Sequence, residues 1–183
     1  MIGGASYQCD IAAYDKDEDL AVLRVRTGRP FYNIAKLYPR DRVKELVCFM
    51  PVVTVGCGMG NKPVVTFGYI SGFGYEIEKR DFMLCTASSI FGNSGGATFL
   101  HDSGELVGVP ARITVTSFGF SADVVTHLGF SIPIWRVYDF LEDQILDFIY
   151  DPKKTSIDCH KEKDRKREED QRHILQEEIK RSD

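Results

Sequence analysis

LVCFMPVVTVGCGMGNKPVVTFGYISG, residues 46–72, decides the fold class. Two runs rich in Val, Phe, Tyr and Ile flank a break of Gly, Asn and Lys, which is the pattern of two short strands and a turn. The pattern recurs in FMLCTAS (82–88), GATFL (96–100), ELVGVPARITV (105–115) and HLGFSIPI (127–134). Six short strands in about 90 residues predict an antiparallel barrel or sandwich rather than a βαβ fold. After Pro133 the period changes. Ile134, Tyr138, Leu141, Ile145 and Phe148 recur at i, i+4, i+7, i+11 and i+14, one apolar face of a helix running to about Tyr150 and expected to dock on the barrel.

Working outward, YQCDIAAYD (7–15) and DLAVLRVR (19–26) read as two further strands, with room for one more in 31–38. Residues 151–183 hold equal numbers of basic and acidic groups and few aliphatics, so 161–181 is expected to be a solvated helix or a partly disordered tail. The whole chain has 183 residues, 43% hydrophobic and 27% charged, with a net charge of −4. That suits one domain with an appendage and argues against nucleic acid as the main partner. No apolar run approaches 18 residues, so no membrane span is expected. Cys9, Cys48, Cys57, Cys85 and Cys159 are scattered and odd in number, which argues against a zinc site or a disulfide framework. Met1-Ile2-Gly3-Gly4-Ala5 has neither a basic nor an apolar leader region, so the expectation is a soluble, reduced domain, cytoplasmic by default.

Gly92-Asn93-Ser94-Gly95-Gly96 is the segment that looks chemical. Three glycines around one Ser allow a tight turn with N–H groups on one side and no Cβ in the way. Gly92 and Ser94 could then aim their N–H groups at one developing oxyanion, each such donor typically worth about 2.7–4 kcal/mol of barrier. A Gly-rich hairpin turn explains the same five residues. The nucleophile elbow of α/β-hydrolases also fits G-x-S-x-G, but it needs a helix straight after the Ser, and ATFLHDSGELVGV reads as strand, turn and strand. In Asp15-Lys16-Asp17-Glu18-Asp19-Leu20-Ala21-Val22-Leu23 an acidic turn enters a strand. Its carboxylate either orients a His, fixing the tautomer, or is simply solvated.

Together these stretches resemble the trypsin-like serine peptidases, most closely the HtrA/Deg branch. The resemblance rests on Asp19-Leu20-Ala21-Val22-Leu23, the run 53–72, Gly92 to Gly96, Gly104-Glu105-Leu106-Val107-Gly108 and Gly129-Phe130-Ser131-Ile132-Pro133, in order over roughly 7–142. It implies an all-β double barrel, with the second barrel complete and the first incomplete, followed by a helix and a charged tail. The implied parts are 1–44, a remnant of the first barrel with the triad Asp; 45–150, the second barrel with the nucleophile and a docking helix; and 151–183, the tail. It also implies Ser94 as nucleophile, Asp19 as triad acid, and Gly92, Asn93 and Ser94 as the oxyanion-hole segment. Asn93 stands where members activated by cleavage carry Asp, implying no zymogen switch. Ser88 aligns with the floor of the specificity pocket and Gly129, Phe130 and Ser131 with its wall, implying a taste for small or medium apolar side chains. A polypeptide substrate is implied, and no metal or cofactor.

One triad member is absent. In this family the His precedes the Asp, yet His101, His127, His160 and His173 all follow Ser94. Only two or three strands can belong to a first barrel of six, so the sequence-based expectation is a C-terminal portion of a longer polypeptide, with Met1 an internal start, or an upstream chain that supplies the His. A Ser without a base is a poor nucleophile, so this chain alone is expected to show little proteolysis. Ala97 replaces a Pro common in the family, and no PDZ module follows residue 150. The alternatives are a non-catalytic module that binds extended peptide, and a structural half-domain completed by another chain.

Overall fold

The computed structural model describes residues 7–119 and 121–182. The chain divides into two compact units, one reaching Tyr138 and the other beginning at Asp139.

In the first unit, β1 (Cys9–Asp15) and β2 (Leu20–Val25) form a separate two-stranded antiparallel ribbon. The barrel follows: β3 (Pro51–Gly56), β4 (Val64–Ile77), β5 (Arg80–Cys85), β6 (Ala97–Leu100), β7 (Leu106–Phe118) and β8 (Ser121–Pro133) close in the order β3-β4-β5-β8-β7-β6. The all-β expectation therefore holds, and the six predicted barrel strands are the six observed, several of them longer than their apolar runs. Strict alternation along β3 buries Val52, Thr54 and Gly56 and turns Pro51, Val53 and Val55 outward. Val52, Ile70, Phe82, Val107 and Ile132 fill the interior. Three hydroxyls cross it: Thr54 Oγ1 lies 3.2 Å from Thr98 Oγ1, which lies 3.1 Å from Ser131 Oγ, so each buried hydroxyl is satisfied by the next.

Residues 31–38 form no strand. The parallel bridge of Leu37 to Leu106 is isolated, flanked by Tyr38 N–H to Leu106 O and Leu106 N–H to Lys36 O. The ribbon of β1 and β2 is uncovered on one face. Ile11 and Leu23 face each other across it and remain 67% and 56% exposed, far beyond an ordinary strand pair with a covered face.

Helix α1 (Ile134–Asp143) begins at the end of β8. Its first turn is buried at Ile134, and Tyr138 donates its hydroxyl to Tyr38 O at 2.9 Å. The helix stops well short of Tyr150. In the second unit Ile145 N–H bonds Glu142 O and Leu146 N–H bonds Leu141 O, a Schellman closure with Ile145 in the left-handed region at φ 55°. Apolar period continued past this point, but the backbone did not. A short 3-10 turn, Asp147–Ile149, precedes α2 (Ser156–Ser182). Thr155 and Asp158 exchange bonds as a capping box at its start, which holds the Asp158 carboxyl below its usual range. Among the described residues no helix is long and apolar enough to cross a membrane.

Burial pushes the Cys85 thiol up to about 12, so it carries essentially no thiolate at neutral pH. Iodoacetamide at pH 8 is expected to alkylate exposed Cys9, Cys48 and Cys57 in the native protein and to spare Cys85 until it unfolds, as read by peptide mass mapping.

Candidate active site

The segment from β5 to β6 is built by two consecutive turns. Asn93 N–H bonds Ile90 O at 3.1 Å, with Gly92 third at φ 97°; Gly96 N–H bonds Asn93 O at 3.0 Å, with Gly95 third at φ 78°. A positive φ at the third position is what type II turns require, and glycine supplies it without strain. Ser94 sits between the two glycines and is exposed. Asn93, Gly95 and Gly96 use their N–H groups within the fold, the second bonding Pro110 O at 2.9 Å. The N–H groups of Gly92 and Ser94 donate to no backbone carbonyl among the described residues.

The glycines of 53–72 explain why this loop holds its shape. Met59 N–H bonds Phe91 O at 2.7 Å, and a Cβ on Gly56 would come within 2.9 Å of Asn93 Cα. A Cβ on Gly96 would meet Val55 O at 2.3 Å. The loop and the end of β3 therefore touch backbone to backbone, and Asn93 is buried between them.

Asp19 closes the acidic turn. Asp15 Oδ1 accepts the N–H groups of Asp17 at 2.7 Å and Glu18 at 3.0 Å, and Asp19 itself has φ 57°. Three arginines from three elements grip this turn. Arg136 of α1 gives two nitrogens to Glu18 Oε2 at 2.6 and 2.9 Å, a third bond to Asp81 O, and stacks 5.4 Å from the Phe82 ring centre. Arg80 of β5 donates to Asp17 O. Arg112 of β7 donates to Asp19 Oδ2 at 2.7 Å.

The last contact links the two candidate groups. Ser94 Oγ donates to Ala111 O at 3.3 Å, and the next residue along β7 is the arginine that holds Asp19. Ser94 and Asp19 thus meet neighbouring positions of one strand. No His bonds either of them among the described residues: His101 pairs with Asp102 at 2.8 Å, and His127 is exposed on β8. The guanidinium occupies the carboxylate where an imidazole is expected. Nothing in the spacing of Arg80, Arg112 and Arg136 announces this grip; only Arg136, a charge amid the apolar start of α1, stands out in the sequence.

The residues aligned with a specificity pocket are partly brought together. Gly129, Phe130 and Ser131 line a narrow cleft with Ser89 that leaves no room for a water molecule. A Cβ on Gly129 would lie 2.9 Å from Ser89 Cβ, so Ser89 fills the cleft. Ser88 is instead exposed, its carbonyl accepting from Thr66 Oγ1 at 2.9 Å. Ser131 spends its hydroxyl on Thr98 in the barrel interior.

A six-stranded barrel that presents a serine on a glycine double turn, beside an acidic turn, defines a serine-peptidase-type domain. The chain belongs to the trypsin-like peptidase domain family, which it matches over residues 2–109. Among solved structures it is similar to the HtrA-type protease AlgW with decapeptide, at 25% identity and a TM-score of 0.62, over 76% of this chain and 41% of that one. It also shares the fold of an inactive serine-to-alanine mutant of Rv3671c from M. tuberculosis H37Rv, at 20% identity and a TM-score of 0.56, over 75% of this chain and 64% of that one. The chain thus spans less than two thirds of the length of either. No curated protein sequence matches it.

Proposed function

We propose that the chain is the nucleophile-bearing part of a trypsin-like serine endopeptidase of the HtrA type, acting on polypeptide. Ser94 Oγ attacks the scissile carbonyl and passes its proton to an imidazole that Asp19 orients; the Gly92 and Ser94 N–H groups hold the oxyanion. The imidazole then protonates the leaving amine, and water hydrolyses the acyl-enzyme. That imidazole comes from a further segment or chain, since among the described residues neither His101 nor His127 bonds Ser94 or Asp19. The observation that carries this reading is an exposed Ser94 in the double turn whose own N–H and that of Gly92 donate to no backbone carbonyl among the described residues. The decapeptide seen with AlgW supports a polypeptide as ligand.

A fluorophosphonate probe tests it. The protein isolated from its source, with whatever segment or partner accompanies it, is expected to take label at Ser94 and to lose it in Ser94→Ala. This chain alone is expected to label only at a background rate. A native protein that takes no label ends the peptidase reading.

One observation favours a non-catalytic peptide-binding module. Arg112 neutralises the carboxylate that an imidazole would need. Under that reading Arg112→Gln leaves labelling absent even when the native partner is present.

A further inference from the structure

β7 carries a bulge where it passes Ser94. Pro110 pairs with Ser131 and Arg112 with Phe130, so Ala111 has no partner on β8 among the described residues. A bulge leaves its extra residue out of the ladder and re-aims the side chains beside it. Here Ala111 O takes two side-chain bonds instead. Ser94 donates its hydroxyl to that oxygen at 3.3 Å, and Arg112 Nη1 donates to it at 3.3 Å as well. The same Nη1 donates to Asp19 Oδ2 at 2.7 Å. One guanidinium nitrogen therefore stands in the gap between the serine and the carboxylate. An imidazole that takes a proton from Ser94 on one nitrogen and donates to Asp19 from the other needs that same gap.

A second carboxylate is placed to receive the guanidinium. Arg112 Nη2 lies 3.7 Å from Glu78 Oε2, about one ångström beyond a charge-assisted hydrogen bond. Glu78 and Lys79 form the two-residue turn between β4 and β5, with φ of 52° and 64° and Ile77 paired to Arg80 across it. Two positive φ values in succession mark a tight hairpin turn, which fixes where the Glu78 side chain starts. Arg80 Nη2 then holds its Oε2 at 2.6 Å. The Arg112 and Asp19 side chains are 36% and 45% exposed, and ion pairs this open are individually weak. Neither carboxylate therefore holds the guanidinium by much. Two weak positions side by side make a side chain with two states.

We propose that Arg112 is an autoinhibitory latch. It is closed when Nη1 bridges Asp19 and Ala111 O, and open when the guanidinium moves onto Glu78 and leaves the gap to an imidazole. The closed position is the one seen here. The arriving imidazole opens the latch, because it fits the open state alone and so shifts the balance toward it. Glu78 lowers the cost of that shift by accepting the displaced cation. Ser94 and Asp19 are thus kept from any base until the segment or chain that bears it is seated. The latch rests on the peptidase reading of Ser94 and Asp19.

The test is a double-mutant cycle on the native protein with its accompanying segment or partner, read as the rate of fluorophosphonate labelling at Ser94. Wild-type labelling is slowed by the fraction of molecules that are latched. Arg112→Gln is expected to speed it about fivefold, the upper end for loss of an exposed pair. Glu78→Gln is expected to slow it about twofold, because it removes the acceptor of the open state. In the double variant the Glu78 effect is expected to vanish, leaving labelling as fast as in Arg112→Gln. Arg112→Lys is expected to fall between wild type and Arg112→Gln, since one ammonium replaces a planar fork, and it serves in place of Arg112→Gln if that variant fails to show a cooperative thermal transition. Glu78 is 66% exposed at a turn, so its variant carries no folding penalty that could imitate the effect. Labelling that the folded Arg112 variant slows or leaves unchanged, or a Glu78 effect that persists without Arg112, overturns the latch while the peptidase reading stands. A wild-type native protein that takes no label removes the peptidase reading and the latch together.

Discussion

Gly92→Ala is expected to lower stability by about 2–5 kcal/mol and to abolish any labelling of Ser94. Two penalties add. The backbone at φ 97° lies where an L side chain is strained by roughly 1–2 kcal/mol, and a new Cβ would sit 2.8 Å from both Cys57 O and Met59 N. Both are backbone atoms that cannot rotate away, so overpacking contributes about 1–3 kcal/mol more. The loop escapes only by flipping the turn, which re-aims the N–H groups on either side of Asn93. Thermal unfolding should show a fall of roughly 4–20 °C for a chain of this size. Gly104→Ala separates the terms, because Gly104 shares a positive φ of 68° but has open space around it. If the two variants melt together, the contact with Cys57 and Met59 contributes nothing and the account of the loop is wrong.

Arg136→Ala should cost about 3 kcal/mol and release the acidic turn. The side chain is only 10% exposed and meets Glu18 Oε2 twice, Glu18 O and Asp81 O once each, and the Phe82 ring. Removing one partner of a buried pair typically costs about 3–5 kcal/mol, and the lower figure is appropriate because Glu18 is 35% exposed and recovers some water. Arg136→Lys should recover less than half, since one ammonium cannot serve acceptors on two segments and stack as well. Urea titration measures the loss. Limited trypsinolysis at Lys16 measures the release, with cleavage expected to accelerate in step with the fraction of turn set free. Cleavage at the wild-type rate would show that Arg80 and Arg112 hold the turn without help.

The barrel was legible because each of its strands carries its own local signal. Residues 46–72 run β-branched and aromatic, break at Gly and Asn, and run so again, and no distant partner is needed to see it. The double turn around Ser94 was legible for a related reason: three glycines in five residues have few uses outside a tight turn. What stayed hidden depends on partners far along the chain. Glycine 68 looks like any strand glycine, yet its absent Cβ leaves room for Ala87 N at 2.0 Å and brings β4 against the segment that carries Ser88. The end of α1 was misread because apolar period reports a buried face and not a continuous helix, and Ile145 adopts a left-handed cap where glycine is the usual signal. Ser131 was placed by its neighbours in the motif, but alternation along β8 turns its hydroxyl to Thr98.

The grip on the acidic turn also sets a schedule. Its contacts join residues 63, 93 and 118 positions apart, all of them reaching forward along the chain. At about 5–20 residues per second, a ribosome takes roughly 6–24 s to deliver Arg136 after Glu18. For that interval the newborn ribbon carries Ile11, Leu23 and four carboxylates in a row of five before Arg136 can meet Glu18. It is made before the barrel and fastened only after it, and it is where a nascent-chain chaperone would find a long opportunity.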